Sequence, residues 1–258
     1  MSNAWLQWLF QCSRAKARLI CFPYAGVGAA IYRLWPTGLP KDLEVGAVQL
    51  PGRANRLHEP ALTSIPRLVD ALVPALTPHL DLPFAFFGHS MGAVLAYEVT
   101  QALRSSGGPL PKHLIVSGRQ PPHLPNTHSL LHILPNDQFV AEIDRRYGGI
   151  PAEVLQDKDV MELLLPCLRA DVTALETYHA VSRPPLACPI TAFGGTEDAL
   201  TPHDHLEAWR NETQSSFRVR VFSGDHFYLD PCRDEVLADL SATLAPMLLD
   251  TFPKESVA

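Results

Sequence analysis

The sequence predicts a single α/β domain over residues 1–258, built around a mostly parallel sheet with helices on both faces. Short, nearly continuous apolar runs alternate along the chain with longer runs of helical periodicity. Short apolar strands are typical of a parallel sheet that is covered on both sides, and the alternation favours this sheet over separate α and β domains. With 47% hydrophobic residues, the chain can form one sizeable core.

The individual elements follow from the local patterns. Strands are predicted at residues 18–22, 45–50, 84–87, 113–117, 190–193 and 218–222, and helices at residues 65–80, 93–104, 203–209 and 234–249. The apolar segment 5–10 is too short to span a bilayer, and no basic region precedes it. We therefore expect an amphipathic start that packs on the body of the protein or stays mobile.

Residues 122–181 interrupt this alternation. The segment contains two predicted helices, at residues 136–147 and 158–179, no convincing strand, and prolines near both ends. A helical insertion of this form predicts a lid over a catalytic site. The alternative is that these helices simply complete the core.

Charge and cysteine content exclude several classes of function. The net charge is −6 and there is no long basic run, so we expect neither a nucleic-acid partner nor a membrane. The five cysteines form no C-x-x-C pair, and their odd number without a secretory signal indicates reduced thiols in the cytoplasm.

The most informative motif is G-H-S-M-G at residues 88–92, between a predicted strand and a predicted helix. A serine on such a turn projects its hydroxyl at the top of the sheet, near the positive end of the following helix. The motif therefore predicts Ser90 as the nucleophile of a serine hydrolase. The alternative is an ordinary glycine-rich helix start, which the flanking strand and helix make less favourable.

A serine nucleophile needs a histidine base and an orienting acid, which follow it in that fold in the order serine, acid, histidine. Asp198 lies in the turn after the predicted strand 190–193 and is the predicted acid. It could instead cap the next helix, but Thr201 and Pro202 already supply a cap and a favourable first residue. Glu197 remains the alternative acid.

His226 is the predicted base because it follows a glycine turn after the last predicted strand. The other histidines fit loops or element ends. His89 adjoins Ser90, but we expect its side chain to face away. Asp225 is not expected to orient His226, because neighbouring side chains on an extended loop diverge.

The tetrahedral intermediate of such a reaction needs two backbone N–H donors. One is expected from Met91, which follows the nucleophile. The other is expected from Ala25, in the early loop 21–29, where small residues permit close backbone approach.

Together with these residues, five further motifs make the chain resemble the type II thioesterases, the stand-alone editing enzymes of polyketide and non-ribosomal peptide synthesis. The resemblance runs from about residue 18 to residue 248, with one departure at Val27, where a second glycine often follows Gly26. The motifs are F-P-Y-A-G at 22–26, Q-L-P-G-R at 49–53, R-Y-G-G-I-P at 146–151, L-P-C-L-R-A-D at 165–171 and G-D-H-F at 224–227.

The resemblance implies an α/β-hydrolase fold and a Ser90–His226–Asp198 triad, with Ala25 and Met91 as oxyanion donors. It implies hydrolysis of acyl groups held as thioesters on the phosphopantetheine arm of an acyl or peptidyl carrier protein. It also implies a monomer without a metal or cofactor. Three alternatives stay open: a carboxylesterase acting on free oxygen esters, a catalytically silent binding protein, and acyl transfer to an acceptor other than water.

Acidic carrier proteins favour a basic docking patch. Arg53 with Arg56, or Arg145 with Arg146, could form one. We favour the alternative for both pairs, in which they make ordinary surface or lid-anchoring ion pairs.

Overall fold

Seven strands form one sheet in the computed structural model, which describes residues 3–249. The order in the sheet is β1-β3-β2-β4-β5-β6-β7, with β1 antiparallel to β3 and every other neighbouring pair parallel. The predicted, mostly parallel sheet is thereby confirmed. The strands are β1 (Leu6–Phe10), β2 (Ala17–Phe22), β3 (Leu43–Val48), β4 (Phe84–His89), β5 (His113–Ser117), β6 (Ile190–Gly195) and β7 (Phe217–Phe222).

The first strand corrects a sequence prediction. Residues 5–10 were expected to form an amphipathic start that packs on the body or stays mobile, but residues 6–10 form a strand that extends the sheet beside β3. The register shifts between Trp8 and Phe10, so Leu6 and Trp8 pack on one face of the sheet and Phe10 on the other. Because both faces of this strand are apolar, its sequence lacks the alternation that identifies an edge strand.

The helices largely follow the predicted positions. Predicted helix 65–80 ends at Leu76 and continues as a short 3-10 turn, and predicted helix 203–209 becomes 3-10 after Glu207. Within residues 3–249, no helix combines the length and hydrophobicity needed to cross a membrane. The helices are α1 (Ile65–Leu76), α2 (Met91–Ser105), α3 (Asn136–Tyr147), α4 (Ala152–Gln156), α5 (Lys158–Glu176), α6 (His203–Glu207) and α7 (Arg233–Leu249).

Apolar side chains cover both faces of the sheet. Helices α1 and α2 bury their apolar stripes on one face, and α7 covers the other face together with the 3-10 turns at 29–32 and 35–38. Burial of this kind is the main favourable contribution to folding. Because strands β2 to β7 are parallel, their carboxyl ends lie at the same edge of the sheet, where loops can bring distant residues together.

Helices α3, α4 and α5 lie between β5 and β6 in the chain and form the helical insertion. Helix α4 was not predicted, and α5 ends at Glu176, three residues before the predicted end. The insertion has a small apolar cluster of its own, formed by Leu131, Phe139, Ile143 and Val172.

The pH dependence of stability can be predicted at His113, the first residue of β5. Its Nε2 lies 2.8 Å from Thr191 Oγ1, and burial lowers the pKa of His113 to about 4. The unfolded chain, with a histidine pKa of about 6.5, binds more protons than the folded chain between these values, so stability falls as the pH falls.

We expect the free energy of unfolding to lose roughly 2 kcal/mol through His113 between about pH 7.5 and about pH 5. The variant His113→Gln retains a group that can hydrogen-bond to Thr191 but cannot titrate, so it should lose less stability over the same range. Urea unfolding at both pH values measures the difference. Equal losses in the two proteins would contradict this prediction.

Candidate active site

Ser90 lies on a sharp, strained turn between β4 and α2. Its φ of 53° and ψ of −114° are unusual for a residue with a side chain, and its N–H donates to Ser117 O at 2.8 Å. A Cβ added at Gly88 would lie 2.1 Å from Gly92 O, and one added at Gly92 would lie 2.0 Å from Phe22 O. Only glycine therefore fits at these two positions, which explains the spacing of the motif.

The structure brings two of the predicted site residues into direct contact. Asp198 follows β6, His226 follows β7, and Asp198 Oδ2 lies 2.8 Å from His226 Nδ1. Asp198 Oδ1 accepts a further hydrogen bond from the N–H of Leu200 at 3.0 Å. Both side chains are buried, so the carboxylate holds the imidazole in one orientation, with Nε2 away from Asp198.

The alternatives to Asp198 lie elsewhere. Glu197 is exposed to solvent, and Asp225 Oδ1 accepts a hydrogen bond from the N–H of Phe227 rather than contacting His226. The predicted capping role of Thr201 is wrong, because the residue before α6 is Pro202 and no side chain caps this helix.

Ser90 and His226 line the same cavity, but no hydrogen bond joins them. His226 Nε2 is buried and has no hydrogen-bond partner among residues 3–249. Catalytic hydrogen bonds are often long in structures without substrate and shorten when substrate binds. An imidazole nitrogen without a partner can accept the proton of a serine hydroxyl once the two groups come within hydrogen-bond distance.

His89 contradicts the expectation that its side chain faces away from the site. Its ring centroid lies 5.0 Å from that of His226, and its Nδ1 lies 2.8 Å from Ser117 Oγ. Ser117 Oγ in turn lies 2.6 Å from the hydroxyl of Tyr228. Burial, and secondarily the charge of His226, hold the pKa of His89 well below its usual range. His89 is therefore a neutral neighbour of His226.

The predicted oxyanion donors both lie near Ser90. Met91 is the first residue of α2, where an N–H has no partner within the helix. Ala25 lines the cavity beside Ser90, and its N–H makes no hydrogen bond within residues 3–249. Its neighbour Gly26, with a φ of 82°, donates its N–H to Asp171 Oδ2 at 2.8 Å.

A buried ion pair holds this loop in place. Arg53, after β3, makes two hydrogen bonds of 2.5 and 2.8 Å to the carboxylate of Asp171 on α5, and a third of 3.2 Å to Val27 O. The Arg53–Asp171 pair thus connects the helical insertion to the loop that contains Ala25. Fixing Gly26 and Val27, the two residues that follow Ala25, limits the directions in which the Ala25 N–H can point.

The four arginines considered for carrier docking are all engaged. Arg53 and Arg56 are buried, with Arg56 bound to Glu59, so this pair does not form a basic surface patch. Arg145 and Arg146 make local bonds on the helical insertion, to Glu142 and Ser129 respectively. The interpretation of these residues as ordinary structural pairs fits the contacts better.

The cavity above Ser90 is lined mainly by apolar side chains, and we call it the apolar cavity. The insertion closes over the site, since the ring of Tyr147 lies 5.6 Å from that of His226. Gly149 allows the insertion to approach Phe227 closely, because a Cβ at this position would lie 2.2 Å from the ring of Phe227. The insertion contributes Ile143, Tyr147, Ile150, Val154, Met161, Leu164, Leu168, Val172 and Leu175 to this cavity.

The structure adds residues to which no role was assigned from sequence. These are Asp171, Ser117, Tyr147 and Tyr228. Asp171 and Tyr147 lie in two of the motifs that carry the family resemblance, at 165–171 and 146–151. The sequence therefore drew attention to their positions but did not predict their contacts. Ser117 and Tyr228 lie in sequence contexts that many core residues share, so no local pattern distinguishes them from those residues.

A strained serine after the central strand of a parallel sheet, with an Asp–His pair on two later loops, defines the α/β-hydrolase class of serine hydrolase. The chain belongs to the family of thioesterase domains, whose model matches residues 17–244. The protein is thus a thioesterase, and its predicted fold class is confirmed.

Relatives match nearly the whole chain. It is 42% identical to the gramicidin S biosynthesis protein GrsT of Aneurinibacillus migulanus, over 92% of this chain and 93% of GrsT. Among solved structures, the type II thioesterase BorB of the borrelidin biosynthetic cluster is 34% identical with a TM-score of 0.85, covering 96% of this chain and 99% of BorB. The thioesterase RedJ of the prodiginine pathway in Streptomyces coelicolor is 41% identical with a TM-score of 0.82, covering 88% and 85%.

The Arg53–Asp171 pair yields a stability prediction. Replacing Asp171 by Leu leaves the Arg53 guanidinium buried without its carboxylate, which should lower the free energy of unfolding by about 3–5 kcal/mol. The double variant Arg53→Met/Asp171→Leu should recover most of this loss, because an apolar pair of similar volume often replaces a buried ion pair without cost. Denaturant unfolding of all three proteins measures both effects.

Activity should not recover in the double variant, since Gly26 has still lost its acceptor. A double variant as unstable as Asp171→Leu would show that the ion pair is not the main contribution of these residues.

Proposed function

We propose that this thioesterase hydrolyses acyl thioesters carried on the phosphopantetheine arm of acyl or peptidyl carrier proteins, and so edits misprimed or stalled synthases. The observation that carries the proposal is the nearly full-length similarity to GrsT, BorB and RedJ, which are named for the biosynthesis of gramicidin S, borrelidin and prodiginine. The apolar cavity beside Ser90 supports it, because an acyl chain requires such a surface.

In the proposed mechanism, Ser90 attacks the thioester carbonyl while His226 takes its proton and Asp198 orients the imidazole. The N–H groups of Ala25 and Met91 stabilise the oxyanion. His226 then gives the proton to the departing thiol, and water activated by the same histidine hydrolyses the acyl-serine. The 2.8 Å contact between Asp198 and His226 supports the assignment of these two roles.

The helical insertion is proposed as the lid, over about residues 122–181. The contact between Tyr147 and His226 supports this role, because movement of α3 would uncover the base. We propose a monomer that needs no cofactor and acts in the cytoplasm. The five cysteines, all unpaired, support that location.

The free-ester alternative uses the same residues, so substrate preference must distinguish it. Release of butyryl groups from a loaded carrier protein is compared with hydrolysis of p-nitrophenyl butyrate. We expect faster release from the carrier, and a loss of about 10⁴-fold or more in Ser90→Ala, since the nucleophile cannot be replaced. Circular dichroism of the variant checks that it is folded.

Activity on the free ester alone would overturn the carrier-thioester proposal in favour of a small-molecule esterase. Activity that survives in folded Ser90→Ala would instead remove Ser90 from the nucleophile role.

The identity of the acid is tested separately. Asp198→Asn should lower kcat by orders of magnitude, because an amide can stabilise the wrong tautomer of His226. Glu197→Gln, a matched change at the adjacent exposed residue, should leave kcat within about 2-fold. Steady-state kinetics of both variants and the wild-type protein on the same acyl-carrier substrate measure the two effects. The reverse pattern would assign the acid to Glu197.

A further inference from the structure

Three aromatic rings surround the imidazole of His226, in addition to the carboxylate of Asp198. Its ring centroid lies 5.0 Å from that of His89, 5.2 Å from that of Phe227 and 5.6 Å from that of Tyr147. The hydrogen bond to Asp198 fixes one nitrogen but still permits the imidazole to turn about that nitrogen. Tyr147 belongs to the helical insertion and Phe227 is only partly buried, whereas His89 is fully buried on the sheet. His89 is therefore the fixed wall against which the imidazole rests.

His89 connects the turn that holds Ser90 to the predicted base. It is the last residue of β4 and directly precedes Ser90, so its backbone shares the restricted position of that turn. A Cβ added at Gly118 would lie 2.6 Å from His89 Cε1 and 3.3 Å from His226 Cε1. The two imidazole rings thus border the same small space at the end of β5, which a glycine leaves open. The His89 ring therefore forms one side of the space in which His226 lies.

A buried chain of hydrogen bonds fixes the ring of His89. His89 pairs with Ser117 across the neighbouring strands β4 and β5, and its Nδ1 lies 2.8 Å from Ser117 Oγ, which lies 2.6 Å from the hydroxyl of Tyr228. All three residues are fully buried. Within residues 3–249 the Tyr228 hydroxyl has no other partner, so it donates its proton to Ser117. Ser117 in turn donates to His89 Nδ1.

The direction of this chain determines the tautomer of His89. Burial, and secondarily the charge of His226, lower the pKa of His89 well below its usual range, so the ring is neutral. Because Nδ1 accepts a hydrogen bond, the single ring proton is on Nε2. Nε2 is buried and has no hydrogen-bond partner among residues 3–249. The ring is thus held through Ser117, and it contacts His226 by packing rather than by a hydrogen bond.

Resting on the proposed roles of Ser90 and His226, we propose that His89 is a positioning residue. Its ring, held in place through Ser117, keeps the imidazole of His226 in the orientation that accepts the proton of Ser90. When the proposed lid opens, Tyr147 leaves His226, whereas His89 stays in place because it belongs to the sheet. The base therefore keeps its orientation while substrate enters and product leaves.

Two variants separate this role from a merely structural one, in which His89 only accepts the proton of the Ser117 hydroxyl. His89→Phe keeps a ring beside His226 but loses the acceptor at Nδ1. His89→Asn keeps an acceptor at about the same position but loses the ring. The rate at which a fluorophosphonate labels Ser90 measures the joint action of Ser90 and His226. This reaction requires neither an acyl chain nor a carrier protein.

We expect the second-order rate constant of labelling to fall about 10- to 100-fold in His89→Asn, because a displaced base loses its alignment with the nucleophile. His89→Phe should be labelled at least about 5-fold faster than His89→Asn, since its ring still supports the imidazole. On the butyryl carrier, kcat should follow the same order. KM should stay within about 2-fold, because His89 does not line the apolar cavity.

His113→Asn is the matched control. His113 also lies beside a hydroxyl of a neighbouring strand, that of Thr191. It lies at the opposite end of β5 from Ser117, about 13 Å away. The labelling rate of this variant should stay within about 2-fold of the wild-type rate. Circular dichroism checks that all three variants are folded.

Proton NMR measures the position of His226 without catalysis. The Nδ1 proton between His226 and Asp198 gives a separate downfield signal while the hydrogen bond persists. We expect this signal to broaden or vanish in His89→Asn, because a freed imidazole exchanges its proton with water. The signal should remain in His89→Phe and in the control.

Equal labelling of the wild-type protein and His89→Asn, with an unchanged NMR signal, would overturn the inference. Faster labelling of His89→Asn than of His89→Phe would also overturn it and give His89 the structural role. A wild-type protein that is labelled at Ser90 but releases nothing from the loaded carrier would refute the proposed function alone. The labelling and NMR comparisons would still decide the role of His89, so the two failures are distinguishable.

Discussion

The buried ion pair between Arg53 and Asp171 is the interaction on which the geometry of the site depends. Two charges removed from water are stable only when each is paired and hydrogen-bonded, so the positions of both residues are tightly restricted. Arg53 also bonds to Val27 O, and Asp171 accepts from the N–H of Gly26. One pair therefore sets the position of α5 above the sheet and of the loop that carries Ala25.

A second constraint on the site comes from the central sheet. The turn at Ser90 requires α2 to begin against the end of β2, at a distance from Phe22 O that only Gly92 permits. The strain at Ser90 is held by neighbours on either side, including the hydrogen bond to Ser117 O. Ser90 is thus fixed by the central sheet, while the cavity above it is shaped by the helical insertion. Under the proposed function, this separation lets one part of the molecule hold the reacting atoms and another surround the substrate.

Local patterns predicted most of the fold because short strands buried on both faces are recognisable without knowledge of their partners. The contact between Asp198 and His226 followed from the same logic, since both residues come after late strands of a parallel sheet. Residues 6–10 were misjudged, because a strand with two apolar faces carries no alternating pattern. The orientation of His89 was misjudged as well. Its ring direction depends on Ser117 and His226, which are distant in the chain.

The sequence by itself determined the class of fold, the candidate nucleophile, acid and base, and the presence of an insertion after β5. Each of these depends on neighbours in the chain, on strand order or on motif spacing. Only the tertiary structure decided that Arg53 lies buried against Asp171, that Tyr147 covers His226, and that His89 lies beside His226. The reason is physical: whether a charged side chain is paired, exposed or free to bind depends on segments that approach it in space, and no local pattern records that approach.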